Sequence, residues 1–278
     1  MNNNEIDIYE RMLTTKYRQC LWSKFLKAIY DYKLLTPGDK VCVCISGGKD
    51  SMLLAKLFTA LTKFMDFKIE VKYLVMNPGY KEEVLNQIKQ NIEKLNIPAE
   101  IHDTNIFEVA NAQDKSPCFL CAKMRRGALY NIAKSMGCNK IALGHHYDDV
   151  IETTLMNLLS SGSFQTMLPK LKSTNYEGME LIRPLYFIRE KDVIRFAKAN
   201  DLKFIRCACN FTLERDNSGD GIGASRRAYI KQLIKDLKKE IPQVEENLFI
   251  APNNVTLDMI LGYKKGGEHH FYLDDYDE

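Results

Sequence analysis

Apolar residues recur at helical spacing over residues 7–35, where Ile8, Met12, Tyr17, Leu21, Phe25, Ile29 and Leu34 stand among Lys and Arg. That pattern predicts an amphipathic helix, ended by the turn Thr36-Pro37-Gly38-Asp39. The pattern then changes to short β-prone runs separated by helical stretches. Lys40 to Ile45 (KVCVCI) predicts a strand, SGGKDS a glycine loop and MLLAKLFTALTKF a helix. Ile69 to Met76 predicts a second strand, residues 81–95 a helix, and Ala99 to Asp103 a third strand. A helix over about 123–136 leads to a strong strand at Lys140 to Leu143, and GHHYDDVIETTLMNLL opens the next helix. The polar segment 160–180 predicts a loop or short hairpin, 181–184 a strand, REKDVIRFAKAN a helix from near Glu190, and 202–207 a final short strand. Beyond it, ASRRAYIKQLIKDLKKEI predicts a basic amphipathic helix, and the acidic tail DDYDE is expected to be disordered.

Strands alternating with helices at this spacing predict an α/β fold: a doubly wound parallel sheet, Rossmann-like, with an N-terminal helix and a C-terminal helical extension. Three segments follow: 1–35, helical; 36–210, the α/β domain; and 211–278, the extension. Ligands of such a sheet bind at the carboxyl ends of its strands. The 278 residues are 45% hydrophobic, as a globular core requires. No stretch reaches the 18 to 20 apolar residues of a membrane span, about the length a bilayer demands, and the N-terminus is too polar for a signal peptide. A cytoplasmic protein without membrane contact is expected. The net charge of +3 permits a polyanionic partner without demanding one.

Three groups of residues carry chemistry. Ser46-Gly47-Gly48-Lys49-Asp50-Ser51 lies between a strand and a helix, where glycines let backbone N–H groups approach phosphate oxygens and the helix dipole favours anions. Ser46 and Ser51 can donate hydroxyl hydrogen bonds, Lys49 can offset phosphate charge and Asp50 can hold Mg²⁺. The P-loop spacing GxxxxGK[ST] is absent. Gly144-His145-His146-Tyr147-Asp148-Asp149 again follows a strand and opens a helix, so it shares the same sheet edge; its acidic pair suits either a cation or a helix N-cap. Cys118 and Cys121 form a CxxC pair, close enough to share a metal or to form a redox disulfide, and Cys207 and Cys209 a second pair near an expected strand end. Together they offer three or four thiolates for a metal or an iron–sulfur cluster. Cys20, Cys42, Cys44 and Cys138 read as packing residues. Arg125, Arg126, Arg226 and Arg227 can contact nucleic-acid phosphates or lie solvated on helix faces.

In that order, GDKVCVCISGGKDS, PCFLCAKMRRGALY, KIALGHHYDDVIETTLMNLL and IRPLYFIREKDVIRFA resemble the tRNA 2-thiocytidine-forming branch of the N-type (PP-loop) ATP pyrophosphatases, from about Tyr17 to Asn210. The resemblance implies an ATP-dependent tRNA sulfurtransferase. Ser46 to Ser51 would bind ATP phosphates, with Asp50 near Mg²⁺. Met76 and Asn77 would lie near adenosine, and Gly144 and Asp149 would shape the pocket. It also implies a [4Fe-4S] cluster on Cys118, Cys121 and one later cysteine, its fourth iron open to exogenous sulfide. Counting from Arg189-Glu190-Lys191-Asp192 favours Cys207 as that ligand, with Cys209 the alternative, because the family often shows CNxC and the local CN pair begins at Cys209. Asp50, Cys118, Cys121 and Cys207 would then carry the chemistry: a pyrimidine oxygen attacks the α-phosphate, pyrophosphate leaves, and sulfide displaces AMP. The partners implied are tRNA and a sulfur donor, either a cysteine desulfurase or free sulfide, with a homodimer as the family expectation. Rival readings are a cluster-free persulfide route through Cys121 and Cys207, a redox sensor that binds nucleotide without turnover, and an amine-joining relative. The sequence departs from the family pattern after Asn210, at DNSGDGIGASRR.

Overall fold

The structure, a computed structural model, describes residues 6–111, 117–204, 222–274 and 276; side chains at 111, 117–119 and 222–225 lie outside the description. The chain begins with α1 (Ile8–Thr14), a π-helical turn (Arg18–Trp22) and α2 (Ser23–Asp31), where a single helix is predicted. The break has a local cause. The hydroxyls of Thr14 and Thr15 donate back to carbonyls of the preceding turn, Thr14 to Glu10 at 3.0 Å and Thr15 to Arg11 at 2.6 Å. Such bonds compete with the main-chain ladder.

The α/β alternation then runs β1 (Lys40–Ile45), α3 (Lys49–Phe64), β2 (Glu70–Asn77), α4 (Glu82–Lys94), β3 (Ala99–Asp103), α5 (Ile106–Asn111), α6 (Pro117–Ser135), β4 (Lys140–Ala142), α7 (Tyr147–Ser161), β5 (Lys170–Lys172), β6 (Glu180–Ile182) and α8 (Glu190–Ala199). The sheet order is β3-β2-β1-β4-β6-β5, parallel throughout except for β5, which pairs antiparallel with β6. The predicted parallel sheet is therefore found, and the hairpin alternative holds for 160–180. Residues 202–204 form no strand, because the helix-ending Asp201 at φ +48 turns the chain away; 205–207 lie outside the described residues.

The central strand β1 pairs with β2 on one side and β4 on the other, so chain order reverses between β1 and β4. That switch point opens a crevice at the carboxyl ends of the two strands. Val41 to Ile45 are all buried, as a strand covered on both faces must be. One face packs Cys42, Cys44, Cys138, Ile141 and Leu181 against Tyr130 and Ala133 of α6. These three cysteines are core residues. The Cys42 thiol sits well above its ordinary pKa: the Cys138 hydrogen bond acts to lower it, and Cys44 and burial outweigh that.

Residues 51–61 of α3 are buried around its whole circumference, including Lys56. Its ammonium is matched by Asp7 and by Glu10 at 3.2 Å, which fasten α1 to α3. A second buried cation, Lys140, meets Asp39 at 2.8 Å and Glu180 at 3.2 Å at the amino edge of the sheet.

By internal contacts the chain divides into a unit of residues up to 150 with 167–225, which holds the sheet, and a unit of 151–166 with 226–278. The second unit contains most of α7, helices α9 (Ile222–Glu240, all but its first turn) and α10 (Val244–Ile250), and a hairpin of β7 (Gly262–Lys265) and β8 (Glu268–Phe271). Within it, Arg227 pairs with Glu152 at 2.9 Å, so this arginine is engaged by its own unit. Of the tail 274–278, Asp274 and Tyr276 are described; the Asp274 carboxylate accepts from the Phe271 amide at 2.7 Å. The disorder expected of 275, 277 and 278 lies outside the described residues. Among the described residues no helix is long and apolar enough to cross a membrane.

Candidate nucleotide site

The loop between β1 and α3 is shaped by Ser51. Its hydroxyl donates to the Gly48 carbonyl at 2.9 Å and accepts from the Ser46 amide at 3.1 Å, with the Ser46 hydroxyl 3.2 Å away. Ser51 is buried, so its hydroxyl holds the loop closed upon itself. Gly47 lies at φ +83, and a Cβ there would stand 2.6 Å from Ile88 Cδ1 of α4. Only glycine meets both conditions. Gly48 is the N-cap of the 16-residue helix α3, and no side chain caps it. First-turn N–H groups and the positive end of the dipole are thus presented at the loop.

The second loop comes from β4. A Cβ on Gly144 would stand 3.0 Å from both the Asp50 carbonyl carbon and the Ser51 amide nitrogen. The glycine lets the two loops pack backbone to backbone across the switch point. His146 then caps α7. Its own amide donates to Asp149 Oδ2 at 2.9 Å, and its Nδ1 lies 3.4 Å from the Asp149 amide. This reciprocal arrangement is a capping box with imidazole in place of hydroxyl. With Nδ1 as acceptor, the Nε2 side faces Asp50 Oδ1 at 3.6 Å. The acidic pair is divided: Asp149 turns to the cavity, whereas Asp148 accepts from the Glu190 amide at 2.7 Å and from Arg189 at 3.2 Å, capping α8.

Between the loops lies a cavity of about 280 Å³. Ile45, Met76, Leu129 and Leu143 supply an apolar wall; Ser46, Asp50, Arg125 and Asp149 supply a polar one. An apolar cleft with a few convergent polar groups is the usual form of a small-molecule site. Asp50 Oδ1 is buried with no hydrogen-bond partner among the described residues. Burial raises the Asp50 pKa, and the neighbouring His146 and Lys49 only partly offset it. Lys49 pairs with Asp50 Oδ2 and with Glu190 Oε1, both at 3.1 Å. Burial acts to lower its pKa and is outweighed by these two carboxylates, so the ammonium stays charged.

Of the predicted residues, Ser46, Asp50, Ser51, Met76, Gly144 and Asp149 converge on this cavity, and Gly47, Gly48 and Lys49 shape the loop beside it without lining it. Asn77 does not: its side chain donates to Asp103 at 2.8 Å and accepts from the amides of Gly79 and Tyr80, holding the turn after β2. Cys121 is half-buried on α6, and Cys118 falls in that helix's first turn, opened by Pro117. Cys207 and Cys209 lie outside the described residues. Arg125, one turn beyond Cys121, donates to the Tyr80 hydroxyl at 3.3 Å, and Tyr80 donates to the Ser46 carbonyl at 3.3 Å. The cysteine-bearing helix is thereby tied to the glycine loop. Tyr80 carries no motif signal of its own, and Glu190 lies in the REKD segment without a role that the sequence assigns; only the fold shows what each holds.

The glycine loop faces a crevice at the switch point of an α/β sheet, and residues 18–216 match the PP-loop domain family. A tRNA-cytidine(32) 2-sulfurtransferase of Neisseria meningitidis is 36% identical over 235 residues, covering 82% of this chain and 70% of the relative. Another from Alcanivorax borkumensis is 30% identical and covers 98% of both chains. The chain belongs to the tRNA-cytidine 2-sulfurtransferase family of PP-loop proteins. Among solved structures, the U34-tRNA thiolase NcsA from Methanococcus maripaludis with its [4Fe-4S] cluster superposes with a TM-score of 0.65 at 22% identity, covering 88% of this chain and 80% of its own, a likeness of fold.

Proposed function

We propose that the protein thiolates a cytidine of tRNA at its 2-position in an ATP-dependent reaction. The observation that carries this reading is that a single cavity takes its polar wall from the SGGKDS loop and from α6, the helix bearing Cys118 and Cys121. The α3 N-terminus and Lys49 would neutralise the ATP phosphates, and Asp50 with Asp149, two carboxylates lining one cavity, would hold Mg²⁺. Arg125, on the cavity's polar wall, would offset the charge of the phosphates. The cytosine O2 attacks the α-phosphorus, pyrophosphate departs, and AMP on that oxygen becomes the group displaced by sulfur.

Thiolates at the spacing of Cys118 and Cys121 fit an iron–sulfur cluster, with Cys207 as the third ligand and Cys209 the alternative. Once held there, the cluster would supply sulfide as the nucleophile. Cysteine desulfurase or free sulfide would be the donor, in the cytoplasm, with a homodimer as the working assembly. The test is iron and acid-labile sulfide on protein purified without oxygen. About four of each per chain are expected, lost in Cys118→Ala with ATP binding retained. Iron-free protein after reconstitution would contradict the cluster assignment.

A further inference from the structure

Lys49 is the cation of the glycine loop, yet its ammonium is shared between two carboxylates on different elements: Asp50 in the first turn of α3, and Glu190 at the first position of α8, both at 3.1 Å. The seat of Glu190 is itself fixed from the other loop of the crevice. Asp148 of α7 receives the Glu190 amide at 2.7 Å and pairs with Arg189 at 3.2 Å. One carboxylate of the HHYDD segment thus sets the helix that presents Glu190 to the SGGKDS lysine, and α3 and α8 pack against each other.

The two Asp50 oxygens are not equivalent. Oδ1 is buried against His146, whereas Oδ2 pairs with Lys49, on a side chain that is otherwise partly exposed. A divalent cation that takes Asp50 must therefore draw Oδ2 away from the ammonium. If Asp50 were the sole partner of Lys49, that exchange would strand a half-buried cation, which is costly. Glu190 removes that cost because Lys49 keeps one carboxylate while the other changes partner.

We infer that Glu190 is a positioning residue for the nucleotide loop: it is the second seat of Lys49, and it allows Asp50 to exchange the ammonium for the divalent cation that accompanies ATP. This rests on the nucleotide-binding reading above. Glu190 is not among the residues that line the cavity, and it acts through Lys49.

The test is the Mg²⁺ dependence of ATP binding to the full chain, read by isothermal titration calorimetry at fixed ATP and increasing Mg²⁺. Glu190→Gln is expected to raise the Mg²⁺ concentration required by roughly tenfold, the scale of one charge-assisted contact, with Glu190→Asp recovering part of the loss. Binding of ATP without Mg²⁺ should stay within about twofold of the parent, a difference of under half a kcal/mol. In a Lys49→Met background, Glu190→Gln should add nothing, since its effect passes through the lysine. A Glu190→Gln protein with the parent's melting temperature and an unchanged Mg²⁺ requirement overturns the inference, as does a full effect that persists without Lys49. If the parent itself binds no ATP at any Mg²⁺ concentration, the nucleotide reading fails first, so the two failures are distinguishable.

Discussion

Gly144 lies against the backbone between Asp50 and Ser51 so closely that a Cβ would stand 3.0 Å from two of its atoms. Those atoms are main chain at the start of α3, so they cannot swing aside as a flexible side chain would. Gly144→Ala should force the β4–α7 loop and the SGGKDS loop apart by a few tenths of an ångström. The expected cost is about 1–3 kcal/mol of stability, as for other overpacking changes. ATP affinity should fall in parallel, by calorimetry, because the cavity wall moves with the loop. A variant with parental stability and affinity would show that the two loops do not need this contact.

Asp50 is held buried at a cost in stability. Its folded-state pKa is raised, chiefly by burial, so above that pKa the ionised form costs folding free energy, and below the ordinary value of 3.8 the cost is absent. Asp50→Asn should therefore melt no lower than the parent at neutral pH, while its AMP formation falls by about 10²-fold or more, the scale of losing one preorganised charge. Equal loss of stability and activity would indicate a purely structural carboxylate.

The opposite sign applies at the other edge of the sheet. For Asp39, burial acts to raise the pKa, and hydrogen bonds from Lys140, Asn139 and Thr36 overcome it, leaving the carboxyl below its ordinary value. Glu180 is likewise lowered: burial is outweighed by Lys140 and Lys170. Stability from both groups is present above their ordinary values of 3.8 and 4.5 and is lost as pH falls through the lower folded values. Lys140→Met should destabilise the fold by about 3 kcal/mol, because it strands buried carboxylate charge. Its melting temperature should also fall less steeply than the parent's between pH 5 and pH 3, roughly the window in which carboxylates titrate.

Arg125 separates the site from the scaffold. Arg125→Lys keeps the charge and loses the planar fork that reaches the Tyr80 hydroxyl. The expected result is unchanged iron content with AMP formation reduced by roughly tenfold, the cost of about one charge-assisted hydrogen bond. Loss of iron in this variant would place Arg125 with the cysteines instead.

The periodic parts of this chain declare themselves in the sequence, and the exceptions have physical causes. KVCVCI and KIA are apolar runs between glycine-bearing loops, so β1, β4 and the crevice they flank follow from pattern and topology alone. The Thr14-Thr15 break is invisible to periodicity because apolar spacing continues through it, while the hydroxyl bonds that interrupt the helix depend on backbone geometry. The C-terminal hairpin did leave a signal: Gly266-Gly267, both at positive φ, lies between YKK and EHHF, the two-residue turn a hairpin favours. In the site, Asp148 and Asp149 are adjacent and chemically identical, and nothing in their spacing tells that one caps α8 while the other lines the cavity. Lys56 shows the same limit. A lysine inside MLLAKLFTAL looks solvated until α1 brings Asp7 and Glu10 to it.

The most direct test is to incubate the anaerobically purified protein with unmodified tRNA, Mg·ATP and sulfide, then digest the RNA and quantify its nucleosides by mass spectrometry beside the AMP released. The account predicts 2-thiocytidine and AMP in equal amounts, both absent without ATP. Thiolated nucleoside formed without ATP, or AMP released with no thiolated nucleoside, would contradict it.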